Sequence, residues 1–141
     1  MTPYSKVYDA FLSKILDDEW GDWAIESVEE DMRHILNSAI VWFKFPKVSL
    51  KMTDEGFEGE LGNEEIQIIA TYMKCEWLNR SIMTWENIRP LYDERDFSPA
   101  NLLDKLNQTL KLETERALKL ESIYYRKEEG KPFPYIRLAG H

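Results

Sequence analysis

Apolar positions recur at helical spacing in four blocks, and a fifth stretch breaks the pattern. In the first block Val7, Phe11 and Ile15 lie four apart, with Tyr4, Tyr8 and Leu12 beside them. Thr2 and Pro3 predict an N-cap and a first helical position, and the helix is expected to run to about Leu16. Asp17, Asp18, Glu19 and Gly21 end it. The second block starts between Asp22 and Ser27. Ser27 with Glu30 fits a capping box. Val28, Met32, Ile35, Leu36, Ala39, Ile40 and Phe43 form its face, and Pro46 stops it. The third block, Asn63 to Ile88, contains no Gly and no Pro. Asn63 is its expected N-cap, followed by Glu64 and Glu65 at the positive end of the helix dipole. Ile66, Ile69, Met73, Trp77 and Trp85 make one apolar row and are assigned to the core. Ile68, Tyr72, Cys75 and Ile82 make a second row. The polar line of Glu64, Gln67, Thr71 and Lys74 is narrow, so this helix is expected at the centre, touched on several sides. The fourth block restarts at Ser98-Pro99 and runs to about Lys127. Leu103, Leu106, Leu110, Ala117, Leu120 and Tyr124 form its buried stripe. Lys111, Glu113, Glu115, Arg116, Lys119 and Glu121 are expected on its wet side. About 30 helical residues span about 45 Å, more than a compact domain of this size needs.

Between Phe45 and Gly62 the period changes to two. Val48, Leu50 and Met52 alternate with Ser49 and Lys51, Thr53 to Gly56 is turn chemistry, and Phe57 to Leu61 can return as a partner strand. A lone hairpin is marginal, so Val48, Leu50, Met52 and Phe57 are expected to contact a neighbouring subunit or a channel. Gly56, Gly59 and Gly62 lie three apart, but Glu55, Glu58 and Glu60 among them repel phosphate and no Lys-Ser or Lys-Thr follows, which argues against a nucleotide loop. At the C-terminus, Lys131, Pro132, Phe133, Pro134, Tyr135, Ile136, Arg137 and Leu138 cannot continue a helix and form an extended arm. The expected fold is therefore mainly α. It is a four-helix bundle-like domain over 1–130, with a small β-hairpin or loop insertion at 45–62 and an extended C-terminal arm over 131–141.

Charge narrows the functions. The 141 residues carry a net charge of −8, and Asp17 to Asp31 holds eight carboxylates with no Lys or Arg. A free-standing nucleic-acid binder is expected to be basic, and anionic membranes are disfavoured for the same reason. No acidic side chain follows Gly130. The single cysteine, Cys75, excludes an intrachain disulfide and fits a small core residue. The N-terminus has no apolar h-region of a secretory signal. Candidate chemistry is sparse. His34 and His141 do not fall into a metal-binding spacing, no serine or threonine has a base partner in a known motif, and Asp93, Glu94 and Asp96 suit local ion pairs with Arg89 or Arg95. No catalytic residue, metal or cofactor is assigned, and the chain is not expected to be an enzyme.

Several phrases together resemble the head–tail connector proteins of tailed bacteriophages, the adaptors or head-completion proteins. They are MTPYSKVYDAFLSKI at the start, FKFPKVSL at 43–50, LGNEEIQIIATYMKCEWLNRSI at 61–82, WENIRPLYDERDFSPANLLDKL at 85–106 and YYR at 124–126. The resemblance implies a helical domain assembled into a homo-oligomeric ring, usually dodecameric, beneath the portal protein. Such a ring continues the DNA channel, lets genomic DNA pass without sequence specificity, and receives a stopper or tail protein below. It implies that the arm, Lys131 to Leu138, docks into the portal. The location implied is the virion, after a host cytoplasmic stage, with no membrane partner. A small cytoplasmic helical regulatory or protein-binding module is the alternative.

Overall fold

The third apolar block is the hub of the structure. The computed structural model describes residues 1–15, 25–88 and 99–126. Its elements are β1 (Thr2–Pro3), α1 (Tyr4–Lys14), α2 (Ile25–Ile40), β2 (Gly56–Phe57), α3 (Asn63–Ile88) and α4 (Pro99–Tyr125). The fold is mainly α and bundle-like, with one small two-stranded sheet. Helix α3 packs against α1, α2 and α4, which explains why it is apolar on most of its circumference. Ile68, Ile69, Ala70 and Met73 are sealed from solvent at its middle. Val7 and Phe11 of α1 and Leu36 and Ala39 of α2 close the same core.

The N-terminus corrects one expectation. Thr2 does not cap α1; Pro3 holds the cap position in extended backbone and no side chain caps the helix. Thr2 is instead buried, and its hydroxyl stitches the start of the chain to the segment before α3. It donates to the Gly59 carbonyl and accepts from the Leu61 amide, both at 2.8 Å. β1 pairs antiparallel with β2, Thr2 opposite Phe57 and Pro3 opposite Gly56. Gly56 is required there, because a Cβ would run into the Thr2 carbonyl oxygen and the Pro3 Cα. Gly56 and Gly59, the latter against the Ser49 backbone, thus serve close backbone approach.

The 45–62 insertion is a minimal hairpin. Met52 bridges Phe57, the Thr53 amide donates to the Gly56 carbonyl at 2.8 Å, and Glu58 donates to Lys51 at 2.8 Å. Strand pairing stops at Phe57 and does not reach Leu61. The hairpin leans on its own chain. Phe57 is fully enclosed, edge-on to Tyr4 at 5.1 Å, so its expected contact with a neighbour or channel is replaced by a core role. Leu50 and Met52 are half-buried against the same core, and Val48 is half-buried.

The cap of α3 lies one residue earlier than expected. The Ile66 amide donates to the Gly62 carbonyl at 3.1 Å, and the Gly62 amide donates to Glu65 Oε1 at 2.6 Å. Gly62 is therefore the cap, and Glu65 closes it in the manner of the returning half of a capping box. Helix α2 begins before Ser27, which sits inside it. The acidic stretch at 17–24, the 89–98 connection with Asp93, Glu94 and Asp96, and the arm from Lys131 to Leu138 lie outside the described residues.

Candidate functional site

Three tyrosines and two glutamates join α3, α4 and the strand-like run after α2. Glu65 is on α3, Glu121 on α4, and both are buried. A buried carboxylate needs hydrogen-bond donors, and here phenols supply them. Tyr124 donates to Glu65 Oε2 at 2.7 Å. Tyr72 donates to Glu121 Oε1, and Tyr125 donates to its other oxygen. The phenol oxygens then accept from the backbone: Lys47 donates to Tyr124 at 2.6 Å and Phe45 to Tyr125 at 3.1 Å. Lys47 Nζ donates to the Tyr124 carbonyl at 2.9 Å and lies 4.6 Å from its ring centroid. Burial, and then the carboxylate each one faces, pushes all three phenols above their ordinary values.

This network holds an apolar surface in place. Val41 and Phe45 are each 71% exposed, Trp42 53% and Leu118 57%. Trp42 is fixed through its indole N–H, which donates to Glu76 at 2.7 Å. Beside it runs a groove of about 550 Å³ between α3 and α4, with Tyr72, Cys75, Leu110 and Leu118 among its lining. Glu76 and Asn79 also line a neighbouring hollow of about 330 Å³ with His34, Arg80 and Met83. The two hollows form one continuous surface across α2, α3 and α4. Large exposed apolar patches of this kind mark interaction sites.

Cys75 lines the groove between α3 and α4. Burial pushes the Cys75 thiol up, so it stays protonated near neutrality, and it accepts from the Thr114 hydroxyl at 3.8 Å. His34 is exposed. Among the described residues no group of three or more His, Cys, Asp or Glu is placed to hold a metal. No described helix is long and apolar enough to cross a membrane.

A second buried carboxylate cluster lies further along α4. Glu113 Oε1 meets Lys74 Nζ and an Arg116 nitrogen, each at 3.3 Å, while its Oε2 is buried without a hydrogen-bond partner. Lys14 of α1 stands close enough for its own amine to feel Glu113. Burial is the larger influence on Lys14 and pushes its pKa down.

Of the assigned core residues, Ile69 and Met73 are fully enclosed, while Ile66 and Trp77 are half-buried against the core. The side chain of Trp85 lies outside the described residues. Glu113 and Glu121, expected on the wet side of α4, are buried. The polar line of α3 faces water at Glu64 but not further along: Thr71 is sealed and Lys74 points at Glu113. One signal pointed that way. Glu113, Ala117, Glu121 and Tyr124 fall at i, i+4, i+8 and i+11, so both carboxylates share the stripe already assigned to the core.

Compared with known proteins, the chain has no significant match among family models, curated sequences or solved structures.

Proposed function

We propose that this chain is a structural subunit of the head–tail connector of a tailed bacteriophage. In this reading it forms a ring, dodecameric by resemblance, between the portal and the stopper or tail protein, and the ring continues the channel through which DNA passes. The observation that carries the proposal is the apolar surface of Val41, Trp42, Phe45 and Leu118, held in place by the hydrogen bonds from Trp42 to Glu76 and from Phe45 to Tyr125. A chain that keeps a rigid aromatic surface in water is built to be covered by another protein. The resemblance of phrases along most of the chain says which kind of assembly. The net charge of −8 supports a wall along which DNA slides without sticking. The arm, Lys131 to Leu138, is the proposed portal anchor, and the virion is the proposed location.

A binding module for a peptide or small ligand is the second reading, favoured by the groove between α3 and α4. One experiment separates the two. Purified chain is mixed with portal rings and imaged by negative-stain electron microscopy. Added density with the portal's rotational symmetry at its tail-side end is the expected result. Unchanged portal rings would leave the binding module as the better reading.

A further inference from the structure

The outer face of α4 is an exception to the acidic surface. Lys105, Leu112, Arg116, Lys119 and Ile123 fall within one stripe at helical spacing, and all five are exposed. Leu112 is 63% exposed and Ile123 is 42%. Glu115 borders the stripe but does not interrupt it. Helix α4 makes its extended contact with α3, and the five side chains of this outer face stand in solvent. A stripe of cations with apolar studs suits an acidic surface that also offers aromatic carbon.

The chain carries such a surface itself. A groove of about 700 Å³ runs between α1, α2 and the hairpin turn. Glu29 and Glu30 of α2 form one wall, Asp54 and Glu55 of the turn form the other, and Tyr4 and Tyr8 of α1 lie between them. Arg33 also lines it, but its guanidinium is laid over the Tyr4 ring at 4.3 Å. Four exposed carboxylates therefore face the opening.

The geometry points to a head-to-tail contact between two copies of this chain, with the outer face of α4 of one copy seated on the α1–α2–turn groove of the next. The two surfaces share no residue, so the contact is heterologous, and repetition gives a ring if the rotation closes. Charge supplies the register. Copies of a chain with net charge −8 repel one another in most orientations, whereas stripe against groove brings opposite charges together. The inference rests on the connector reading for its place in a ring, but the contact itself needs no portal.

Sedimentation equilibrium of the purified chain tests it. The native chain should show a concentration-dependent mass at low salt that falls away near 1 M salt, where the screening length is about 3 Å. Two charge-reversed chains follow: Lys105→Glu with Lys119→Glu, which leaves Arg116 on Glu113, and Glu30→Lys with Glu55→Lys. All four positions are exposed, so both chains should melt like the native one. Each alone should be at least tenfold weaker in self-association. An equimolar mixture should regain the native association, because every contact in an alternating array again joins opposite charges. A native chain that stays monomeric at every concentration overturns the contact, as do single variants that associate normally or a mixture that does not recover. Duplex DNA is added as a control. Binding lost only in the Lys105→Glu, Lys119→Glu chain, without recovery in the mixture, assigns the stripe to nucleic acid instead. If the mixture fails while the native chain still decorates the portal, this contact falls and the connector reading stands.

Discussion

The hydroxyl of Tyr124 stands between the carboxylate of Glu65, to which it donates at 2.7 Å, and the backbone amide of Lys47, from which it accepts at 2.6 Å. One side chain on α4 thereby ties the first turn of α3 to the segment after α2. Tyr124→Phe keeps the ring and its edge-on contact with Phe43 but leaves a buried carboxylate oxygen short of a donor. The expected loss is about 1–3 kcal/mol, the usual cost of an unsatisfied buried polar group. Tyr72→Phe should cost less, because the Tyr72 hydroxyl serves Glu121 alone, whereas the Tyr124 hydroxyl also satisfies the Lys47 amide. Urea melts of the two variants check the order.

The same phenols predict alkaline sensitivity. Tyr72 and Tyr124 have folded pKa values raised above the ordinary 10.0, first by burial and then by the glutamate each faces. Their contribution is fully present below pH 10 and is lost as pH rises above it, by up to about 1.4 kcal/mol per pH unit for each phenol. Lys14, pushed below its ordinary 10.5, works in the opposite sense in the interval just under that value. Stability measured from pH 8 to 12 should fall beyond 10, and more gently in Tyr124→Phe. A flat profile would place the phenols in water.

Glu113 and Lys74 are expected to be coupled. Removing either partner of a buried ion pair leaves the other uncompensated, which costs about 3–5 kcal/mol in a fully buried site; Lys74, 18% exposed along its side chain, should sit below that range. Lys74→Met and Glu113→Leu should each destabilise, and the double variant should be more stable than either. A double-mutant cycle by denaturant unfolding reads this directly. Additive losses would show that the two groups act independently.

These carboxylates mark the limit of what the sequence made legible. The bounds of α3 and α4 were readable because Gly62, Pro90 and Pro99 punctuate long runs of good helix formers. Helix identity and core stripe follow from local spacing. Glu65, Glu113 and Glu121 each have a tyrosine or lysine partner on another helix, tens of residues away, and local spacing cannot show those partners, although it does place Tyr125 at i+4 from Glu121. Thr2 is a similar case. Thr-Pro is good helix-start chemistry, but the hydroxyl finds two backbone partners near residue 60 and the helix starts without it.

Core substitutions should rank by enclosure. Phe57 is sealed, so Phe57→Ala should cost about 3–5 kcal/mol. Trp77 is only half-buried, and Trp77→Ala should fall below that range despite removing more atoms. Gly56→Ala should also destabilise, because the added Cβ meets the backbone of Thr2 and Pro3 rather than a movable side chain. Thermal melts of the three variants give the ranking. A mild Phe57→Ala would mean that the hairpin detaches without loss.

Deletion of residues 131–141 tests the proposed anchor. The truncated chain should keep its helical circular dichroism and its melting midpoint while losing co-sedimentation with portal. Retained binding would remove the arm from the interface, and unfolding would make it part of the core.

The latch at the end of α4 has a mechanical consequence. Any tension applied through the chain beyond residue 126 enters the folded body next to Tyr124 and Tyr125. Their hydroxyls, gripping Glu65, Glu121 and the backbone of Phe45 and Lys47, take that load before any apolar core residue does. The end of α4 is tethered at a point where pull is shared among three segments of chain, so a tug there is spread across the body instead of peeling one helix away.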